Sequence, residues 1–219
     1  MLVSVTTRLM HGNGSPLVVV LHCCLVFSSV AHAAAQAVPV SADSGQDNVM
    51  VNIDGPPPPI PPAMVARDEQ GRVTLRAVRL DESLRIDGRL DEDIYTRVPS
   101  IGGFVQQEPS EGEPPTQDTN IWVFFDDTTF YFSVRNWDSE PERIVAKEMR
   151  RGNLGIARDD TITLTLDTFY DRRNGYYFET NVLGGVYEAL VTDERSENED
   201  WDTAWETRSA LFDGGWSIE

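Results

Sequence analysis

The sequence predicts an all-β protein, an antiparallel β-sandwich of the immunoglobulin or jelly-roll kind, preceded by a targeting segment and a proline-rich linker. From Arg72 onward, short runs that alternate apolar and polar residues recur about every ten residues, with clusters of turn-forming residues between them. No stretch carries the apolar period of an amphipathic helix. Strands at that spacing favour a sandwich over a barrel or a parallel sheet.

The element boundaries follow from the same pattern. Asn120 to Phe125 and Phe130 to Asn136 read as a hairpin, because Asp126, Asp127, Thr128 and Thr129 between them supply turn chemistry. Thr161 to Asp167 sets Thr161, Thr163 and Thr165 against Ile162, Leu164 and Leu166, the mark of a half-buried strand. A loop over Thr168 to Gly175 returns the chain into Tyr176 to Asn181, and Gly184 with Gly185 turns it into Val186 to Thr192. Thr203 to Phe212 is expected as a further strand, and Asp213, Gly214 and Gly215 turn it into Trp216 to Ile218.

The beginning reads differently. Arg8 and His11 precede the apolar run Leu17 to Val30, and small residues follow at Ala31, Ala33, Ala34 and Ala35. This is the layout of an export signal over residues 1–35, with cleavage expected near Ala33 or Ala35. The run is too short for a hydrocarbon core of ~30 Å and is broken by His22, Ser28 and Ser29. A linker over 36–66 is laden with proline, from Pro56 to Pro62, and favours extended conformation. The domain proper is expected over 67–219, in the periplasm, at the outer membrane or secreted.

Composition excludes several classes of function. With 36 Asp and Glu against 18 Lys and Arg, the chain lacks the basic surface that phosphate neutralisation requires, so nucleic acid is not an expected partner. His11, His22, His32, Cys23 and Cys24 all fall in the export segment, which leaves the domain without the residues for zinc, thiol or histidine-triad chemistry. Gly184 and Gly185 do not make a dinucleotide fingerprint.

Four stretches carry a resemblance: LRIDGRLDEDIY at Leu84 to Tyr95, VQQEPSEGEPP at Val105 to Pro115, IWVFFDDTTFYFSVRNWDSEP at Ile121 to Pro141, and DDTITLTLDTFYDRRNGYYFETNVLGG at Asp159 to Gly185. Together they are similar to the family 9 carbohydrate-binding domains, most of all to the subgroup that precedes outer-membrane β-barrel domains in bacterial envelope proteins. The resemblance spans roughly Val78 to Glu219. It implies a β-sandwich without catalytic apparatus, binding polysaccharide or oligosaccharide in carbohydrate catabolism, with an outer-membrane β-barrel domain as a further partner. Two departures stand out. Sugar-binding relatives clamp a pyranose between two tryptophans, and none stands near Gly155 and Ile156; relatives also continue past a segment like Trp216 to Glu219, so a C-terminally truncated domain is expected.

Sugar recognition needs flat apolar faces and planar polar groups. Trp137, Trp201 and Trp205 are the candidate rings, and Arg135, Asp160 and Asn181 the candidate polar groups, Asn181 because it resembles the family's N-x-x-G turn. Each has a plainer alternative: core packing for Trp205, surface pairing for Asp160 and Arg135, and a turn role for Asn181. A structural calcium ion, held in some relatives, is expected in a loop near Asp126, Asp127, Asp167 or Asp171. Glycoside hydrolysis would need two carboxylates across a cleft, for which Asp160, Glu179 and Glu188 are candidates. The expected reading is a non-catalytic sugar-binding domain, with a docking domain that has lost its sugar site as the alternative and a hydrolase of O-glycosyl bonds as the lesser one.

Overall fold

The computed structural model describes residues 1–10, 17–28, 55–194 and 196–219. The expected cleavage site and the linker as far as residue 54 lie outside the described residues. In chain order the strands are β1 Leu2–Leu9, β2 Leu17–Ser28, β3 Val65–Arg67, β4 Val73–Arg79, β5 Val105–Glu108, β6 Thr119–Phe125, β7 Phe130–Trp137, β8 Thr161–Asp167, β9 Gly175–Asn181, β10 Val186–Thr192, β11 Ser196–Asn198, β12 Ser209–Phe212 and β13 Gly215–Ile218, with one short helix, α1, at Asp93–Arg97.

The strands hydrogen-bond in the order β11-β10-β9-β8-β1-β2-β4-β6-β7-β13-β12, with β3 beside β4 and β5 beside β2. Neighbours are antiparallel except β2 with β4 and β4 with β6, which run parallel. The ladder folds over on itself. One core joins Val3 and Val5 of β1 and Ile162 of β8 to Leu75 of β4, Ile121 and Val123 of β6, Val134 of β7 and Trp216 of β13. This is the all-β sandwich that the alternation predicts, its core filled by side chains from the inner faces of both halves.

The expected hairpin forms with Thr119 to Phe125 paired to Asn136 to Phe130 in unbroken register. Because side chains alternate across a strand, Ile121 and Val123 enter the main core while Trp122 and Phe124 point to the opposite face. There a second core covers them with Leu80, Leu90 and Tyr95, the last carried on α1. Tyr95 meets Trp122 and Phe124 edge-on at 5.4 and 5.8 Å, the geometry that aromatic quadrupoles prefer.

This second core is pinned by Glu219. Its carboxylate, in a residue only 6% exposed, accepts from the backbone N–H of Asp87 and Gly88 at 3.0 and 2.8 Å and from the Tyr95 hydroxyl at 2.6 Å. Ser217 donates to the Gly88 carbonyl. Gly88 sits at φ +82°, and a Cβ there would lie 2.6 Å from the Ser209 backbone, so only glycine fits.

Two segments that the strand pattern did not include also pack against the sheet. The residues read as an export signal supply β1 and β2, which join the halves of the ladder. Val3, Val5, Thr7 and Leu9 are buried while Ser4, Thr6 and Arg8 are half-exposed, a strand alternation that lies upstream of the apolar run. The described end of the proline stretch also packs: Pro56 and Pro59 are buried, and the Thr74 hydroxyl donates to the Pro56 carbonyl. Proline lacks an N–H but keeps a carbonyl acceptor, so it can lie along a sheet without orphaning a donor.

Glu219→Ala removes the acceptor for three donors, two of them buried, and is expected to lower stability by about 3 kcal/mol, seen as a lower urea midpoint at unchanged slope. Gly88→Ala is expected to destabilise at least as much, through the clash with Ser209. A Glu219→Ala variant within about 0.5 kcal/mol of the parent would show that water replaces the carboxylate.

Candidate functional site

Between β7 and β8 the sandwich stays open. A cleft of about 810 Å³ is walled by Phe130 and Phe132 on one side and by Ile162, Leu164, Leu166 and Phe178 on the other. Its volume falls within the range of small-molecule sites. Trp205 stands in its lining together with Thr203 and Thr207.

The rim is built by β9 and β10. Their register sets Glu188 opposite Phe178, on one sheet face, and Tyr187 opposite Glu179, on the other. On the cleft side, Trp201 stacks on Tyr176 with centroids 5.0 Å apart, and Trp205 meets Phe178 edge-on at 5.1 Å. Trp205 Nε1 donates to Glu188 Oε2 at 3.2 Å, which fixes the plane of the ring. Arg151 Nε and Nη2 both donate to Glu188 Oε1, at 2.9 and 2.5 Å, and Nη2 also reaches Asp202 Oδ1 at 3.1 Å. The buried Glu188 thus orients both an indole and a half-exposed guanidinium, while the Asp202 carboxylate stays 78% exposed. Aromatic faces beside planar charged groups can stack on a ring and take paired hydroxyls.

The candidate residues therefore fall in separate places. Trp201 and Trp205 come together over β9. Asn181 is fully buried and committed: its Nδ2 donates to the Glu148 carbonyl and to Asp159 Oδ2, and its Oδ1 accepts from Leu183 and Gly185. A Cβ on Gly185 would lie 2.4 Å from the Glu148 oxygen, so this turn fits against the 145–160 loop only with glycine. Asp160 is also buried, and its carboxylate accepts from the backbone N–H of Met10 and Val145. Its neighbour Asp159, which the sequence reading passed over, accepts from Lys147 and Glu148 and so ties the same loop down.

Arg135 lies on the outer face of β7, between Trp122 and Phe212 at 5.5 and 5.9 Å, and donates to the Leu90 carbonyl. Trp137, 40% exposed, packs edge-on against Phe212 and donates to Asn120. These two serve the second core's side of the sandwich, away from the cleft. The Arg151, Glu188 and Asp202 set went unrecognised as a unit. The Asn181 to Gly185 turn, once placed, would have revealed Phe178 and Glu188 as cross-strand partners.

The acids considered for calcium organise turns. Asp126 accepts from Thr128 and Thr129 and from the Ser83 and Tyr131 hydroxyls, donors that hold its carboxyl well below the usual range. Asp127 pairs with Arg79. Asp167 accepts from the N–H groups of Tyr170, Asp171 and Arg172, and Asp171 from those of Arg173 and Asn174. Among the described residues no group of three or more His, Cys, Asp and Glu side chains is placed to hold a metal ion. The carboxylates considered for hydrolysis diverge: Glu179 and Glu188 point to opposite faces of one sheet and do not flank a common bond.

Comparison of the chain with family models, curated proteins and solved structures returned no match.

Burial pushes the Glu179 carboxyl above its ordinary range, against the opposing hydrogen bond from the Tyr177 hydroxyl at 3.1 Å. A carboxyl pKa raised on folding contributes stability below its unfolded value, about 4.5, and loses it as pH rises through the folded value. Glu179→Gln is therefore expected to gain stability relative to the parent as pH rises above about 4.5, measured by urea unfolding at a series of pH values. A pH-independent difference between the two proteins would place Glu179 in solvent.

Proposed function

We propose that this protein is a non-catalytic carbohydrate-binding domain of an exported envelope protein, holding an oligosaccharide or polysaccharide chain at the rim of the cleft. The carrying observation is the Glu188 carboxylate, which fixes Trp205 and Arg151 side by side at the opening. In this reading a pyranose lies against the exposed surface of Trp205, with Trp201 extending the aromatic surface along β9. Its hydroxyls pair with the exposed Asp202 carboxylate and with the edge of the Arg151 guanidinium that Glu188 does not engage. The resemblance to family 9 carbohydrate-binding domains supports the same ligand class, although the ring pair sits elsewhere than in the sugar-binding relatives.

A docking domain for an outer-membrane β-barrel partner, without sugar binding, is the second reading. It is favoured by the internal engagement of Arg135, Asp160 and Asn181.

Calorimetric titration with xylo- and cello-oligosaccharides is the test. Binding is expected, with affinity insensitive to salt because neutral sugars release no counterions. Trp205→Ala is expected to weaken it about tenfold or more, and Arg151→Ala by a similar factor. Trp137→Ala should leave it unchanged. No heat with any of these sugars would remove the carbohydrate reading and leave the docking one.

A further inference from the structure

We propose that the loop from Lys147 to Arg158, with the Leu183 turn beside it, is a docking surface for an anionic lipid membrane. The inference goes beyond the sugar reading and uses none of the groups assigned to the sugar. The chain carries 36 acids against 18 bases, yet this loop reverses the balance: Lys147, Arg150, Arg151 and Arg158 stand against a single acid, Glu148. Glu188 engages Arg151, and the other three cations are exposed. Glu148 does not cancel them at the surface. Its side chain is only 13% exposed and lies beneath the Arg150 guanidinium, which it holds at 2.9 Å and which is itself 77% exposed.

Apolar side chains stand among these cations. Met149 and Leu154 are 68% and 57% exposed, and Leu183 is exposed on the neighbouring turn. The two segments are locked together at one end of β9 and β10. Asn181 Nδ2 donates to the Glu148 carbonyl at 2.7 Å while its Oδ1 accepts from the Leu183 N–H. The Gly152 N–H donates to the Val186 carbonyl at 2.9 Å, and Ile156, in the short helical turn that Leu154 opens, packs with Tyr187 of β10. The platform is therefore rigid before it meets anything. Its tip projects into open space, since a Cβ on Gly152 would meet no atom within 4 Å.

The chemistry of the patch selects lipid over polypeptide. The N–H groups of Lys147 and Glu148 are spent on Asp159, those of Met149 and Arg150 on Glu148, and that of Gly152 on Val186. A second polypeptide, or more of this one, finds no row of free backbone groups here to pair with as a strand. Interfaces between proteins also bury a centre depleted of charge, whereas here cations interleave with the apolar groups. A lipid surface takes that mixture: aliphatic side chains enter the acyl boundary while the cations stay among the phosphates. The acidic remainder of the chain is repelled by the same surface, so this end is the one that docks.

Co-sedimentation of the full chain with vesicles tests this. Binding is expected to phosphatidylcholine vesicles that contain phosphatidylglycerol, to be lost with pure phosphatidylcholine, and to weaken with added salt. Lys147→Gln and Arg158→Gln should each weaken it about fivefold, and Leu154→Asp about tenfold or more. All three side chains are exposed, so urea midpoints should stay at the parent value. Arg85→Gln, at an exposed arginine elsewhere, should leave vesicle binding unchanged. Lys147→Gln should also leave the oligosaccharide titration unchanged, so the two readings fail separately. No binding, or equal binding to both vesicle compositions, overturns the proposal. So does an Arg85→Gln loss as large as that of Lys147→Gln, which would spread the attraction over the whole surface. A dimer that Leu154→Asp dissociates, without vesicle binding, gives the patch to a second copy and overturns the lipid.

Discussion

The carboxylate of Glu219 is the constraint on which the packing of the domain turns. It joins the last strand to the Ile86 to Gly88 turn at the other end of the domain sequence, using backbone N–H groups that no ladder satisfies. Those donors are fixed in place only because Gly88 adopts a left-handed conformation flush against Ser209. The turn then delivers Leu90 and Tyr95 over Trp122 and Phe124, and the Tyr95 hydroxyl returns to the same carboxylate. With both faces of β6 buried, β6 and β7 become the rigid wall against which the other half of the sandwich stands. The cleft opens between that wall and β8, lined by Phe130 and Phe132 on one side and Leu164 and Leu166 on the other, with Ile218 in its lining.

Where alternation and turn chemistry agreed, the sequence was readable. Thr161–Asp167 and Val186–Thr192 form over the spans their patterns predict, and the 126–129 turn closes the hairpin as its Asp and Thr residues suggest. Thr203 to Phe212 shows the limit, because only Ser209–Phe212 enters a ladder. Upstream, Trp201 and Trp205 pack their rings across β9, which holds that stretch over a sheet face and away from a strand edge. Local pattern does not reveal such a choice, since alternation fixes which residues are apolar and not which partner covers them. The N-terminal segment shows another limit. Leu2–Leu9 alternates as a strand should, but the apolar run and small residues that follow carry a second, equally physical message.

The candidate site was legible in residue type more than in place. Trp201 and Trp205 do converge, but Arg135, Asp160 and Asn181 spend their polar atoms on backbone groups close at hand. An amide or carboxylate that could meet a sugar hydroxyl meets a loop N–H equally well, and no spacing rule separates the two. What distinguishes Glu188 is its position opposite Phe178, with its oxygens shared between an indole and a guanidinium from different loops. That arrangement depends on the turn at Asn181 to Gly185 having already set the register.

The acidity of the chain has a structural reading besides solubility. Asp126, Asp138, Asp159, Asp160, Asp167, Asp171 and Glu219 all accept backbone N–H groups in turns and loops. A sandwich of short strands has many turns, and each leaves donors that no ladder satisfies. Cysteine is confined to Cys23 and Cys24, so carboxylates rather than disulfides close the loops of the domain. An ionised carboxylate forms stronger hydrogen bonds than a neutral acceptor, and it keeps the turn solvated. Much of the negative charge is therefore spent on the fold itself, and the exposed acids at the cleft rim, Asp202 foremost, are the ones with an oxygen to offer a ligand.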